Sequence, residues 1–158
     1  MPIPLSIRLS NKQIPYISFR ECAAKTTPNG QAGTSVTDHC VNVGRVGECL
    51  CVLMPECVKR RLPPAPGLSL SVHDVGKVSP GYELKYFADT VVRRHAPDLV
   101  GQTAFASKHA SVSAAAIDRW LDTEPLRSPV SIAAAAHHGT MDHAYPPDTA
   151  ETLGGESW

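Results

Sequence analysis

The chain has 158 residues, 42% hydrophobic and 19% charged, with 15 basic and 15 acidic side chains and a formal net charge of zero. That length supplies one core and one domain. Zero net charge excludes the broad positive field that drives sequence-independent binding to nucleic acid. Any contact with DNA or RNA must therefore be local, and the short clusters Lys59-Arg60-Arg61 and Arg93-Arg94 read as solvated surface.

The opening MPIPLSIRLSNKQIPYISF lacks a charged segment followed by a long apolar one, and no stretch approaches a membrane span, so a cytoplasmic protein without membrane contact is expected. The five cysteines (Cys22, Cys40, Cys49, Cys51, Cys57) are odd in number and form no repeated C-x-x-C pair. Buried reduced thiols are expected rather than a disulfide framework or a zinc ribbon.

Residues 1–34 carry Pro2, Pro4, Pro15 and Pro28 and the turn-rich TTPNGQAGTS, and read as a leading loop. Thr34 or Ser35 offers an N-cap. Val36, Cys40, Val43, Leu50 and Leu53 recur at helical spacings, which predicts an amphipathic helix from Ser35 to about Met54 despite Gly44 and Gly47. RRLPPAPG is a stiff connector, and GLSLSVHDVGK reads as a short helix stopped by Gly76 and Pro80. Leu84, Phe87 and Val91 predict a helix from Tyr82 to His95, ended by Pro97. From Ser107, KHASVSAAAIDRWLD is Ala-rich and sets His109, Val112, Ala116 and Trp120 along one stripe of a further helix. After the breaker EPLRSP, a helix is predicted from Val130 to His138, ending at Gly139, with a polar tail beyond it. The chain reads as mostly α, without repeats and without a convincing strand.

A His-Asp dipeptide such as His73-Asp74 carries little weight by itself in a chain with seven histidines. Its company carries more. His39, His109 and the pair His137-His138 each fall on, or at the end of, a predicted helix, on the apolar side. A lone histidine on such a face is usually a satisfied core residue, but several helices each offering one shift the balance toward a shared ligand. Imidazole with carboxylate suits iron, manganese, nickel or cobalt, and the lack of paired thiolates argues against a structural zinc site. Asp74 has two oxygens and could bridge two ions roughly 3.5–4 Å apart, an arrangement suited to phosphoryl transfer.

The ordered set formed by CAAKTTPNGQAGTSVTDHC, HDVGKVSPGYE, KHASVSAAAIDRWL and AAAAHHG, over residues 19–139, resembles the HD nuclease domain of the CRISPR-associated helicase-nuclease of type I interference systems. The resemblance implies an HD-domain helical bundle that holds two divalent transition metal ions, iron, manganese, nickel or cobalt, with magnesium as a further candidate. His39, His73 and Asp74 would hold one ion, and Asp74, His109, His137 and His138 the second. Asp74 would be the catalytic bridge, and Lys77 would stand near the scissile phosphate, with a solvated turn lysine as the plain alternative. Ser113 takes the family's serine position in the helix after His109, or serves helix packing. His95 and His143 match no ligand position. The implied activity is hydrolysis of phosphodiester bonds in single-stranded DNA, with a CRISPR surveillance complex and its guide RNA, and a helicase domain in cis or in trans, as partners.

Two departures stand out. The family has Phe-Gln where this chain has Tyr82-Glu83. The family's closing aspartate ligand lies several helices beyond the His-His pair, and Asp142 and Asp148 are too near that pair to match it, so the first metal position is expected to be one ligand short and the bundle incomplete at its C-terminus. No GxxxxGK[ST] loop is present, because Gly76-Lys77 is followed by Val78. Residues 1–158 thus read as a single HD-type nuclease domain, its N-terminal part, with no helicase domain. Two rival readings stay open: an HD-type nucleotide phosphohydrolase using the same ligands, and a truncated, catalytically inactive remnant or subunit that docks on a surveillance complex.

Overall fold

The computed structural model describes residues 19–87, 93, 109–122 and 128–139. Ser35 starts the main helix. Its backbone is extended, its Oγ accepts the amide N–H of Asp38 at 3.0 Å, and its hydroxyl donates to the Asp38 carboxylate at 2.8 Å. This reciprocal cap, with an acid in the first turn to complement the helix dipole, fixes the start of α1 (Val36–Leu53) where the sequence placed it.

The buried face of α1 differs from the expected one. Val36 and Cys40 are buried, but the face continues through Gly44 and Gly47, while Leu50 and Leu53 are 50% and 80% exposed. The cause is a close helix pair. A β-carbon on Gly44 would meet the Ser71 hydroxyl and the Gly67 carbonyl, and one on Gly47 would meet the Leu70 side chain. The two glycines are the contact surface for α3 (Pro66–Ser71), which lies along α1. Between them sits the single turn α2 (Glu56–Lys59), where Lys59 pairs with Glu56 at 3.0 Å and Arg60 and Arg61 are exposed, as expected of a solvated basic run.

The expected helix over GLSLSVHDVGK is split. After α3 ends at Ser71, the chain turns through His73 and Asp74 into a short 3₁₀ helix at Val75–Val78. α4 (Pro80–Phe87) follows, beginning two residues before the expected Tyr82 because Pro80 is used at its first turn, where a missing N–H costs nothing. Of its expected continuation to His95, Arg93 is helical and the other residues lie outside the described ones. α5 (His109–Leu121) packs on the 3₁₀ helix and on α6 (Pro129–Ala136), which Ser128 caps by accepting the Val130 amide at 3.2 Å. Gly139, at φ 82°, lies just past the end of α6. Among the described residues there is no strand, only two isolated bridges, Ala23 with Ser35 and Thr26 with Ala32.

The stripe expected on α5 also rotates. Trp120 is 68% exposed, and the buried side runs through Ser111, Ser113, Ala114, Ile117 and Asp118. Alanines do not discriminate between faces, and a buried serine is admissible once its hydroxyl is hydrogen-bonded. The leading segment contributes more than a loop would. Cys22 and Ala24 are buried with Val36 and Cys40, against Val75 and Val78, so residue 22 onward is already core. Of the five cysteines, Cys22 and Cys40 are buried as expected, whereas Cys49 and Cys57 are exposed, and none is in a disulfide. Burial pushes the Cys22 thiol up to about 12 and Cys40 to about 11, which keeps both protonated and unreactive. No described helix is long and apolar enough to cross a membrane.

Glu83, on α4, is fully buried. Burial pushes its pKa up to about 8, against a small opposite pull from the Ala23 backbone. The group is therefore neutral in the folded protein at neutral pH, which fits a position where the resembling family carries glutamine. Below the ordinary carboxylate range Glu83 is protonated in both states. As pH rises to about 8 the unfolded chain loses the proton while the fold retains it, so stability falls across that window and levels off above it. The loss is on the order of a few kcal/mol. Urea titrations of Glu83→Gln between pH 5 and pH 9 should show a flatter profile than the parent; parallel profiles would rule out a buried neutral carboxyl.

Candidate metal centre

Four parts of the fold deliver the six ligand candidates. His39 projects from the first turns of α1, His73 and Asp74 from the turn after α3, His109 from the start of α5, and His137 and His138 from the end of α6. They converge on the Asp74 carboxylate, whose side chain is 3% exposed. Its Oδ2 lies 2.8 Å from His39 Nε2 and 3.0 Å from His73 Nε2. Its Oδ1 lies 3.2 Å from His109 Nε2 and 3.3 Å from His137 Nε2. His138 Nε2 stands 2.9 Å from His109 Nε2 and completes the second side. Two groups that could hold an ion result, His39-His73-Asp74 and His109-His137-His138, with the second facing the other oxygen of the same carboxylate.

Hydrogen bonds on the far side of two rings set their tautomers. Nδ1–H of His73 donates to the Leu70 carbonyl at 2.6 Å, and Nδ1–H of His137 donates to the Ala134 carbonyl at 2.6 Å. A carbonyl can only accept, so in the neutral ring each proton is on Nδ1 and the Nε2 lone pair faces inward. His137 Nε2 and Asp74 Oδ1 then meet as two acceptors, and both are buried atoms without a hydrogen-bond partner. Facing lone pairs repel, and burial removes the water that would separate them. A divalent cation between them satisfies both, so these residues fit the metal that an HD site requires.

The electrostatics agree. Burial alone would raise Asp74, but His109, His137, His73 and Lys77 together hold its carboxyl well below the usual range, so it is ionised. His39 is pushed down by burial against the pull of Asp74, and His138 is also pushed down by burial, which favours the neutral, ligating ring in both. His137 runs the other way: Asp74 raises it, so that ring holds a proton more readily than an ordinary histidine, and an ion bound there would have to displace that proton.

Lys77 is not the solvated turn lysine of the plain alternative. It is 4% exposed, with Nζ 2.7 Å from Asp74 Oδ2 and 5.6 Å from the Tyr82 ring centroid. Its charge is directed at the carboxylate. Ser113 has a definite role in packing: its buried Oγ accepts the Gly76 amide N–H at 2.8 Å and so ties the Asp74 turn to the helix that carries His109. Tyr82 was not singled out as part of the site by sequence reasoning. Its ring lies edge-on 5.2 Å from His109, and its hydroxyl donates to the Ala24 carbonyl at 3.1 Å. The departure from the family's Phe-Gln at Tyr82-Glu83 marked a differing contact there but did not tie it to His109. His95, His143, Asp142 and Asp148 lie outside the described residues.

Comparison with known proteins agrees with this geometry. The family model described as "Cas3, HD domain" matches residues 24–156, most of the chain. No curated protein and no solved structure matches it. The family match carries with it a metal-dependent, nuclease-type HD hydrolase in a CRISPR context, and the His/Asp groups around Asp74 are of the kind such a domain needs. With a helical frame, a shared carboxylate and a family match over most of its length, the chain belongs to the Cas3 HD-domain family.

Proposed function

We propose that this chain hydrolyses phosphodiester bonds of single-stranded DNA in type I CRISPR interference, acting in the cytoplasm with a surveillance complex and its guide RNA and with a helicase domain in cis or in trans. The observation that carries the proposal is the single carboxylate of Asp74, ringed by histidines on both oxygens, with Oδ1 and His137 Nε2 left without hydrogen-bond partners. Two divalent ions held there would activate water and neutralise charge on the phosphoryl group. His39 and His73 would hold one, and His109, His137 and His138 the other, with Asp74 shared. Manganese, iron, nickel and cobalt suit this donor set. Lys77 keeps the Asp74 carboxylate ionised and oriented, and would reach a phosphate only by leaving it. The net charge of zero fits a domain whose DNA is delivered by a partner rather than captured by a long-range field.

The test loads metal-free protein with Mn²⁺, Ni²⁺ or Co²⁺ and offers circular single-stranded DNA, duplex DNA, a nucleoside monophosphate and a cyclic dinucleotide. Cleavage of the single strand with the others spared is expected. Hydrolysis of a nucleotide with DNA intact would replace the proposal by a nucleotide phosphohydrolase. Less than one ion per chain with no cleavage of any substrate would mark an inactive subunit.

A further inference from the structure

The two oxygens of Asp74 are furnished unequally. Oδ1 faces His109 and His137 at 3.2 and 3.3 Å and accepts no hydrogen bond. Oδ2 receives His39 Nε2 at 2.8 Å and, closer still, the Lys77 ammonium at 2.7 Å. That ammonium is not free to withdraw. The lysine is buried, the adjoining Gly76 amide is fixed to Ser113 at 2.8 Å, and the Tyr82 ring lies 5.6 Å from Nζ. One side of the carboxylate thus presents an unmatched anion and lone pairs, while the other already has a positive charge in contact with it.

We propose that Lys77 is a resident cation that makes the two metal positions unequal. An ion on Asp74 Oδ1, His109, His137 and His138 loads first and tightly, because that oxygen meets imidazoles and the lysine ammonium is on the other one. An ion on Asp74 Oδ2, His39 and His73 loads second and weakly, because it shares its oxygen with the Lys77 ammonium. The chain is then singly loaded when metal is scarce and doubly loaded only above a threshold, which makes any step needing both ions responsive to metal supply. This rests on the metal-centre reading given above.

The experiment is a titration of the metal-free full chain with Mn²⁺, with free Mn²⁺ followed by electron paramagnetic resonance, and folding checked by circular dichroism. The parent should bind two ions with affinities separated by roughly 10- to 100-fold, the scale of one charge acting on a divalent ion at close range under water-like screening. His137→Ala should remove the tight step and His39→Ala the weak one. Lys77→Met should strengthen the weak step until the two nearly merge. Lys77→Gln, which keeps an N–H donor for Oδ2, does the same if the methionine variant does not fold. Lys77→Arg, which keeps the charge, should preserve the separation. Two equal steps in the parent, or a weak step unchanged or weakened in a folded Lys77→Met or Lys77→Gln, would overturn the role of Lys77 while leaving the metal centre standing. No Mn²⁺ bound by the parent, or equal binding by Asp74→Asn, would overturn the centre itself.

Discussion

Asp74→Asn is expected to abolish metal loading and phosphodiester hydrolysis together, with a rate loss on the order of 10³-fold or more, since the ions Asp74 would hold are worth several kcal/mol of transition-state stabilisation. Asparagine is nearly isosteric, so the effect is one of charge. The parent carboxylate is the only acidic group among the two candidate ligand sets, and it faces His39, His73, His109, His137 and Lys77. Without it, inward lone pairs and one buried ammonium remain, with no anion to balance either an ion or Lys77. Removing one partner of a buried pair costs about 3–5 kcal/mol, so the variant should also unfold at lower temperature. Metal analysis and circular dichroism on the same sample separate the two effects: a folded variant without metal is the expected result. A folded variant that keeps its metal would show that Asp74 is not the bridge.

Gly76→Ala should have the largest effect on folding of any single methyl group added near the site. A β-carbon there would press on the backbone carbonyl of His109 and stand 2.6 Å from the Ser113 amide nitrogen and 2.9 Å from its hydroxyl. Two of those three atoms are backbone, which cannot swing aside as a flexible side chain would. The 3₁₀ helix must move off α5, at a cost of about 3 kcal/mol or more, and the movement draws Asp74 away from His109. Ser113→Ala is the milder counterpart. It leaves the buried Gly76 N–H unpaired, worth about 1–3 kcal/mol, without forcing the elements apart. Urea denaturation should therefore rank Gly76→Ala well below Ser113→Ala; the reverse order would mean that the close approach of turn and helix is not a constraint.

The parts of this molecule that were legible in its sequence are those set by local chemistry. Thr34 or Ser35 was legible as a helix start, and the structure uses Ser35, paired with Asp38. The six ligand candidates were legible because the chain has seven histidines and the family resemblance orders five of them around His73-Asp74, and the structure brings four to the Asp74 oxygens and sets His138 against His109. Packing was less legible. Gly44 and Gly47 read as interruptions of an apolar face, and only the position of α3 shows that they are the face. The stripe expected on α5 through Trp120 was misplaced, because its alanines do not choose a face and a buried Ser113 is stable only through a partner 37 positions away in the chain. Lys77 was left between a place near the scissile phosphate and a solvated turn, and Glu83 was marked only as a departure from the family's glutamine. Sequence alone does not give burial for either: the lysine is buried against Asp74, and the glutamate is buried with its pKa pushed up to about 8.

The most direct measurement of the proposed centre is anomalous diffraction from crystals of the chain grown with Mn²⁺. Two peaks are expected, one between Asp74 Oδ2, His39 and His73, and one between Asp74 Oδ1, His109, His137 and His138. Peaks that do not touch Asp74, or none at saturating Mn²⁺, would contradict a metal centre bridged by that carboxylate.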